Sequence, residues 1–176
     1  MTNLADTYFK RACTNIELQQ YENAIHDFNK TIDLVQFYPE AHYYRGLAKR
    51  FLEQYSEAID DFDIAIKLDS TNEEAYFNRG FAKREIEQYE EAIDDLKLAL
   101  DIDPDHVAAL WNLKYSLCGL SKYREALLTM DKIVKLDPDW YSYMGRAGIK
   151  ESLGDIEGQK QDEDKAWAIG HDFCAF

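Results

Sequence analysis

The chain has 176 residues, room for one domain of ordinary size, and its 46% hydrophobic and 31% charged residues mark a globular protein rather than a disordered one. Twenty basic against 34 acidic residues leave a net charge of −14, which repels phosphate backbones and argues against nucleic-acid binding. No apolar run approaches the ~20 residues that span a bilayer, so membrane insertion is not expected.

The elements follow one another with little interruption, because only 3 prolines and 8 glycines break the chain. A helix is predicted over 4–17, carrying Phe9 and the small Ala12. The next, over 21–34, opens on Tyr21-Glu-Asn-Ala-Ile and carries Phe28. Residues 39–52 contain Tyr43-Tyr-Arg-Gly, and 55–68 open on Tyr55-Ser-Glu-Ala-Ile. Along that fourth helix Ala58, Ile59, Phe62, Ala65, Ile66 and Leu68 keep a period near 3.6, so one face is buried. Residues 73–86 hold Tyr76-Phe-Asn-Arg-Gly, and 89–102 open on Tyr89-Glu-Glu-Ala-Ile. The pattern returns in Leu110-Trp-Asn-Leu-Lys within 107–120 and in Tyr123-Arg-Glu-Ala-Leu within 123–136. The opening tyrosines, Tyr21, Tyr55, Tyr89 and Tyr123, are 34 residues apart each time. Phe28, Phe62, Leu96 and Met130 recur at the same interval, and Pro104 and Pro138 close the third and fourth units. Between units, Asp69-Ser-Thr-Asn and Asp103-Pro-Asp-His offer N-cap side chains.

These phrases resemble the tetratricopeptide repeat, in which a large residue, Leu-Gly and Tyr are followed by Ala, an aromatic and Pro. The resemblance covers roughly residues 4–137. It implies an all-α, right-handed α-solenoid of stacked antiparallel helix pairs, each a first helix (A) and a second (B). The expected organisation is one domain over 1–176, with units 4–37, 38–71, 72–105 and 106–138 and a degenerate fifth over 139–176. Close crossing of A and B requires small residues, supplied by Ala12, Gly46 and Gly80 on A and by Ala24, Ala58, Ala92 and Ala126 on B. Three departures stand out: Lys114 in the place of Gly46 and Gly80, Thr31 in that of Ala65 and Ala99, and Gln159 at the fifth unit's alanine position. Lys114 is expected to splay the fourth hairpin unless its stem snorkels outward.

The resemblance also implies that A helices line a concave groove and B helices the convex back. The four B helices carry a net −8 and the four A helices a net +3, which puts the acidity on the outside. The pairs Asp60-Asp61 and Asp94-Asp95 are read as solvated convex surface. The positions that face the groove in the family hold Tyr43, Tyr44, Arg50, Phe77, Asn78, Phe81, Arg84, Trp111, Asn112 and Tyr115 here. Aromatics with arginine on one face have the composition of a binding hot spot. Asn78 and Asn112, 34 residues apart, offer donor and acceptor to the main chain of an extended peptide. The family's clamp for chaperone C-termini is not reproduced. Its five positions read Phe9, Cys13, Tyr44, Glu74 and Asn78 in one frame and Tyr43, Leu47, Asn78, Ala108 and Asn112 in the next, where Asn78 alone matches.

No phosphate loop, nucleophile elbow or zinc helix is present, and His26, His42, His106 and His171 lack the spacing of metal ligands. No enzyme activity, cofactor or metal is expected. Cys13, Cys118 and Cys174 form no motif and suit a reducing compartment, and the first ten residues read as no secretory signal, so a cytoplasmic location is expected. The expected function is a protein-interaction adaptor that holds an extended, apolar or mildly acidic peptide. The alternative is self-association through the apolar tail Gly170-His-Asp-Phe-Cys-Ala-Phe176.

Overall fold

The structure, a computed structural model, describes residues 2–172. These residues form ten helices and no strand: α1 (Thr2–Glu17), α2 (Tyr21–Leu34), α3 (Pro39–Phe51), α4 (Tyr55–Leu68), α5 (Glu73–Glu85), α6 (Tyr89–Ile102), α7 (Val107–Gly119), α8 (Tyr123–Leu136), α9 (Trp140–Ser152) and α10 (Ile156–Asp172). Consecutive odd and even helices pair as antiparallel hairpins, and the chain divides after Ile102 into two compact units. Phe173, Cys174 and Phe176 of the apolar tail lie outside the described residues.

Each hairpin turns in the same way. The residue two before each B helix adopts a left-handed backbone: Gln19, Glu53, Glu87, Ser121 and Gly154, with φ between 57° and 77°. The next amide reaches back five residues, as in Gln54 N to Lys49 O at 2.9 Å and Lys122 N to Leu117 O at 2.8 Å. This satisfies carbonyls that the helix end would otherwise leave bare. Only the last hairpin uses glycine there; the other four accept the strain of a side chain in that region. Between hairpins the caps fall on the predicted segments. Asn72 accepts from Ala75 N at 3.1 Å, and His106 Nδ1 accepts from Ala109 N at 3.3 Å. Asp139 and Ser142 form a reciprocal capping box at α9.

The small residues explain the close crossings. A Cβ on Gly46 would stand 2.7 Å from the Phe62 ring, and one on Gly80 would stand 2.8 Å from Leu96. Phe28, Phe62, Leu96 and Met130, which recur at the 34-residue interval, are each 0% exposed. Thr31, where alanine stands in other units, is also buried, and its hydroxyl donates to Asp27 O at 3.0 Å. Gln159, at the equivalent of the B-helix alanines, is only half-buried.

One expectation is corrected. The exposed members of the acidic pairs are Asp60 and Asp94, whereas Asp61 and Asp95 are 1% and 3% exposed. They sit between the two helices of their hairpins, where Arg45 grips Asp61 through Nη2 at 2.5 Å and Nε at 2.9 Å. Lys49, one turn further along α3, adds a contact at 2.7 Å. In the next hairpin Arg79 and Lys83 hold Asp95 at 2.5 and 2.7 Å, and in the last Arg146 and Lys150 hold Asp162 at 2.7 and 2.8 Å. The first hairpin keeps Arg11 on Asp27 at 2.6 Å, with Asn15 in the lysine's place. Each pair is 16 residues apart, so this acidity belongs to the hairpin interior. The arginines also reach the preceding hairpin: Arg45 to Asn29, Arg79 to Asp63 and Arg146 to Asp131. A bidentate arginine thus fastens its own hairpin and the one stacked on it. The α7–α8 hairpin has none of this. Leu113, Leu117 and Thr129 occupy the three positions and are all buried.

Candidate functional site: the A-helix face

In the first unit α1 approaches α3 and α3 approaches α5, while no two even-numbered helices there come as close among the described residues. The A helices therefore form the crowded inner side of this unit. Six predicted residues meet across α3 and α5. The Phe81 ring has the Arg50 guanidinium at 4.8 Å and that of Arg84 at 5.0 Å from its centroid. Arg50 also lies 4.8 Å from Phe51, which stacks on Tyr21 at 4.9 Å, so cations and rings alternate along the surface. Asn78 Nδ2 lies 3.4 Å from the Tyr43 hydroxyl, and Tyr43 packs edge-on against Tyr44 at 5.1 Å. Tyr44 continues inward onto Phe9 and Phe28, joining the buried cluster of the first hairpin. Phe77, on α5, is half-buried.

Electrostatics separate these residues. Arg50 makes no hydrogen bond or ion pair with a carboxylate among the described residues, and its buried Nε has no hydrogen-bond partner. Burial pulls its pKa down from the usual arginine value, against the pull of Tyr43, Tyr55 and Glu74. Burial and the Glu74 charge push the Tyr43 phenol up, so it stays protonated. Arg84 pairs with Glu85 beside it on the helix.

In the second unit α7 presents Trp111 and Tyr115, with ring centroids 6.1 Å apart. Tyr141 of α9 joins them, 4.8 Å from Trp111 and hydroxyl to hydroxyl with Tyr115 at 2.7 Å. Tyr115 and Tyr141 are 39% and 52% exposed, leaving this aromatic surface open. Sequence reasoning missed Tyr141 because groove positions were read only in the first four units; in the fifth, Tyr141 follows Ala108 by 33 residues, as Arg146 follows Leu113. Lys114 is 8% exposed, with Nζ 3.6 Å from the Tyr115 centroid and 5.1 Å from Trp111.

The two asparagines are more buried than their predicted role suggested. Asn78 is 3% exposed and Asn112 9%, and each donates its amide to the carbonyl one turn back, Glu74 O at 2.7 Å and Ala108 O at 2.8 Å. That bond fixes the amide orientation, since a carbonyl accepts only from the NH2 end. Asn112 Oδ1 is left buried without a partner.

Models of the tetratricopeptide repeat family match residues 5–34 and 73–106, and a further one described as TPR repeat matches 52–86. The chain is a tetratricopeptide-repeat protein. No curated protein matches it by sequence. Among solved structures it resembles MamA, residues 41 to the end, from Desulfovibrio magneticus RS-1, with TM-score 0.90 and 21% identity over 96% of both chains. YrrB, described as a TPR protein with an unusual peptide-binding site, aligns with TM-score 0.83 and 21% identity over 92% of this chain and 84% of its own. The first TPR of Spaghetti (RPAP3), bound to the HSP90 peptide SRMEEVD, aligns with TM-score 0.67 and 23% identity over 69% of this chain and 96% of its own. At these identities the likeness establishes the fold of this tetratricopeptide-repeat protein, an all-α solenoid type. Among the described residues no helix is long and apolar enough to cross a membrane, and no three metal-ligating side chains cluster.

Proposed function

We propose that this tetratricopeptide-repeat protein is a non-enzymatic interaction module whose A-helix faces bind an extended peptide segment of a partner protein. The observation that carries the reading is Arg50: a half-buried guanidinium packed between Phe51 and Phe81, its buried Nε unpartnered, on a face of half-exposed aromatic rings. Large rings give contact area while ordering few torsions, and a guanidinium short of hydrogen bonds supplies direction. The peptide named with the Spaghetti structure and the peptide-binding site named for YrrB support a peptide as ligand. The work belongs in a reducing, cytoplasmic setting that keeps Cys13 and Cys118 as thiols, and the charge of −14 leaves nucleic acid a poor partner.

The test is affinity capture by full-length protein. Asn78→Ala with Phe81→Ala on the A face is expected to release the captured partner, while Asp60→Ala with Asp94→Ala on the exposed B face retains it. Unchanged capture by the A-face variant sinks the reading. Self-association is the second reading, favoured by Trp140, Ile156 and Trp167, which are 48%, 65% and 62% exposed on the last hairpin. Light scattering of the full chain beside one truncated after Gly170 decides it: a monomer in both cases removes it.

A further inference from the structure

We infer that Lys114 is a carboxylate-binding residue: the α7 surface of the second unit takes an acidic side chain of an extended partner peptide, seated against Trp111, Tyr115 and Tyr141. The inference rests on the peptide-binding reading above and names the chemistry of its ligand.

The other lysines of the hairpin interiors, the half-buried Lys49, Lys83 and Lys150, each lie within 2.8 Å of an aspartate oxygen. Lys114 alone among these four has no carboxylate partner in the described residues. Its own helix, Val107–Gly119, contains no acidic residue at all, and the aspartate position of its hairpin is Thr129. A lysine only 8% exposed, with no anion at its ammonium, has lost part of its hydration, and the two ring faces offset only part of that cost.

The surroundings specify a ligand. Nζ lies against the two rings that α7 shows to the open surface, so an anion arriving over Trp111 and Tyr115 meets the charge directly. Trp111 and the half-exposed Tyr141 supply an apolar wall for a neighbouring side chain. A cation beside an apolar wall describes an acidic residue with an apolar neighbour. The site differs from the five clamp positions considered in the sequence, since Lys114 sits at the helix crossing. Burial pulls the ammonium's pKa down, and a bound carboxylate would restore it.

The probes are two capped nonapeptides that differ in a central Glu or Gln between leucines, titrated to millimolar concentration into the full-length protein and followed by NMR. The Glu peptide is expected to bind about tenfold more tightly and to shift the Trp111 indole resonance. Lys114→Met removes that preference and unfolds at the same temperature as the wild type or higher. Equal binding of both peptides at Trp111 overturns the Lys114 assignment and leaves the peptide-binding reading standing. Binding of neither peptide to any A-helix resonance overturns both. A preference that survives Lys114→Met, or a lower unfolding temperature in that variant, makes Lys114 a structural residue and overturns the inference.

Discussion

The α3–α4 and α7–α8 hairpins share small residues at Ala41 and Ala109 and at Ala58 and Ala126, and fill their interiors with opposite chemistry. In the first, a buried aspartate is held by an arginine and a lysine from the facing helix. In the second, Leu113, Leu117 and Thr129 occupy the same three positions, and a lysine without a carboxylate stands one residue further on. A helical hairpin at this spacing is thus stable with either an ionic or an apolar interior, provided the set is complete. The ionic set does something the apolar set cannot: its arginine extends to the preceding hairpin, as Arg45 does to Asn29. The apolar set frees its hairpin to carry a charge that answers to a ligand instead.

Substitutions that leave one set incomplete should have the largest effect. Asp61→Ala strands Arg45 and Lys49 beside each other in a buried site and is expected to cost about 3–5 kcal/mol in denaturant unfolding. A loss below about 1 kcal/mol would mean that the triad adds nothing to the hairpin. The reverse change, Thr129→Asp, buries a carboxylate against Leu113 and Leu117 and should cost about 3 kcal/mol. Adding Leu113→Arg and Leu117→Lys should return most of it; a triple variant no better than the single one breaks the equivalence of the two sets.

Acid sharpens the contrast at a smaller scale. Burial alone would raise the Asp61 carboxyl, but contacts from His42, Arg45 and Lys49 outweigh it and hold the pKa at about 2, below its ordinary 3.8. His42 Nδ1 stands 3.6 Å away, too far for a hydrogen bond, so its part is electrostatic. A depressed pKa stabilises the fold above the unfolded value, and the contribution disappears as pH falls from near 4 through 2. The expected loss is about 2 kcal/mol, read from unfolding curves across that range and abolished by Asp61→Asn. The smallest effect should come from Asp27→Ala. Its partner Arg11 is 61% exposed and returns to water when released, so about 1 kcal/mol is expected from the same measurement.

The helices and their pairing were legible because packing repeats: the four predicted B helices, Tyr21–Leu34 through Tyr123–Leu136, begin and end at the expected residues. The A-helix positions of the groove residues followed from the same period. The buried aspartates were not legible from their own neighbourhood, since Asp60 and Asp61 look alike in a helix and only one faces the partner. A signal did exist: Arg11, Arg45, Arg79 and Arg146 each precede an aspartate by 16 residues. Lys114 was read as a packing fault because a lysine at a glycine position suggests crowding. What the sequence could not express was that two rings receive the charge. The asparagine pair shows the opposite error, as a side chain offered to a ligand was partly spent on its own helix.

The most direct test selects random extended peptides on the full-length protein and maps the tightest by NMR. Shifts are predicted on the odd-numbered helices, at Phe77 and Phe81 in the first compact unit or at Trp111 and Tyr115 in the second. A map centred on Leu98 of α6 or on Leu128 of α8, both exposed, would contradict the account.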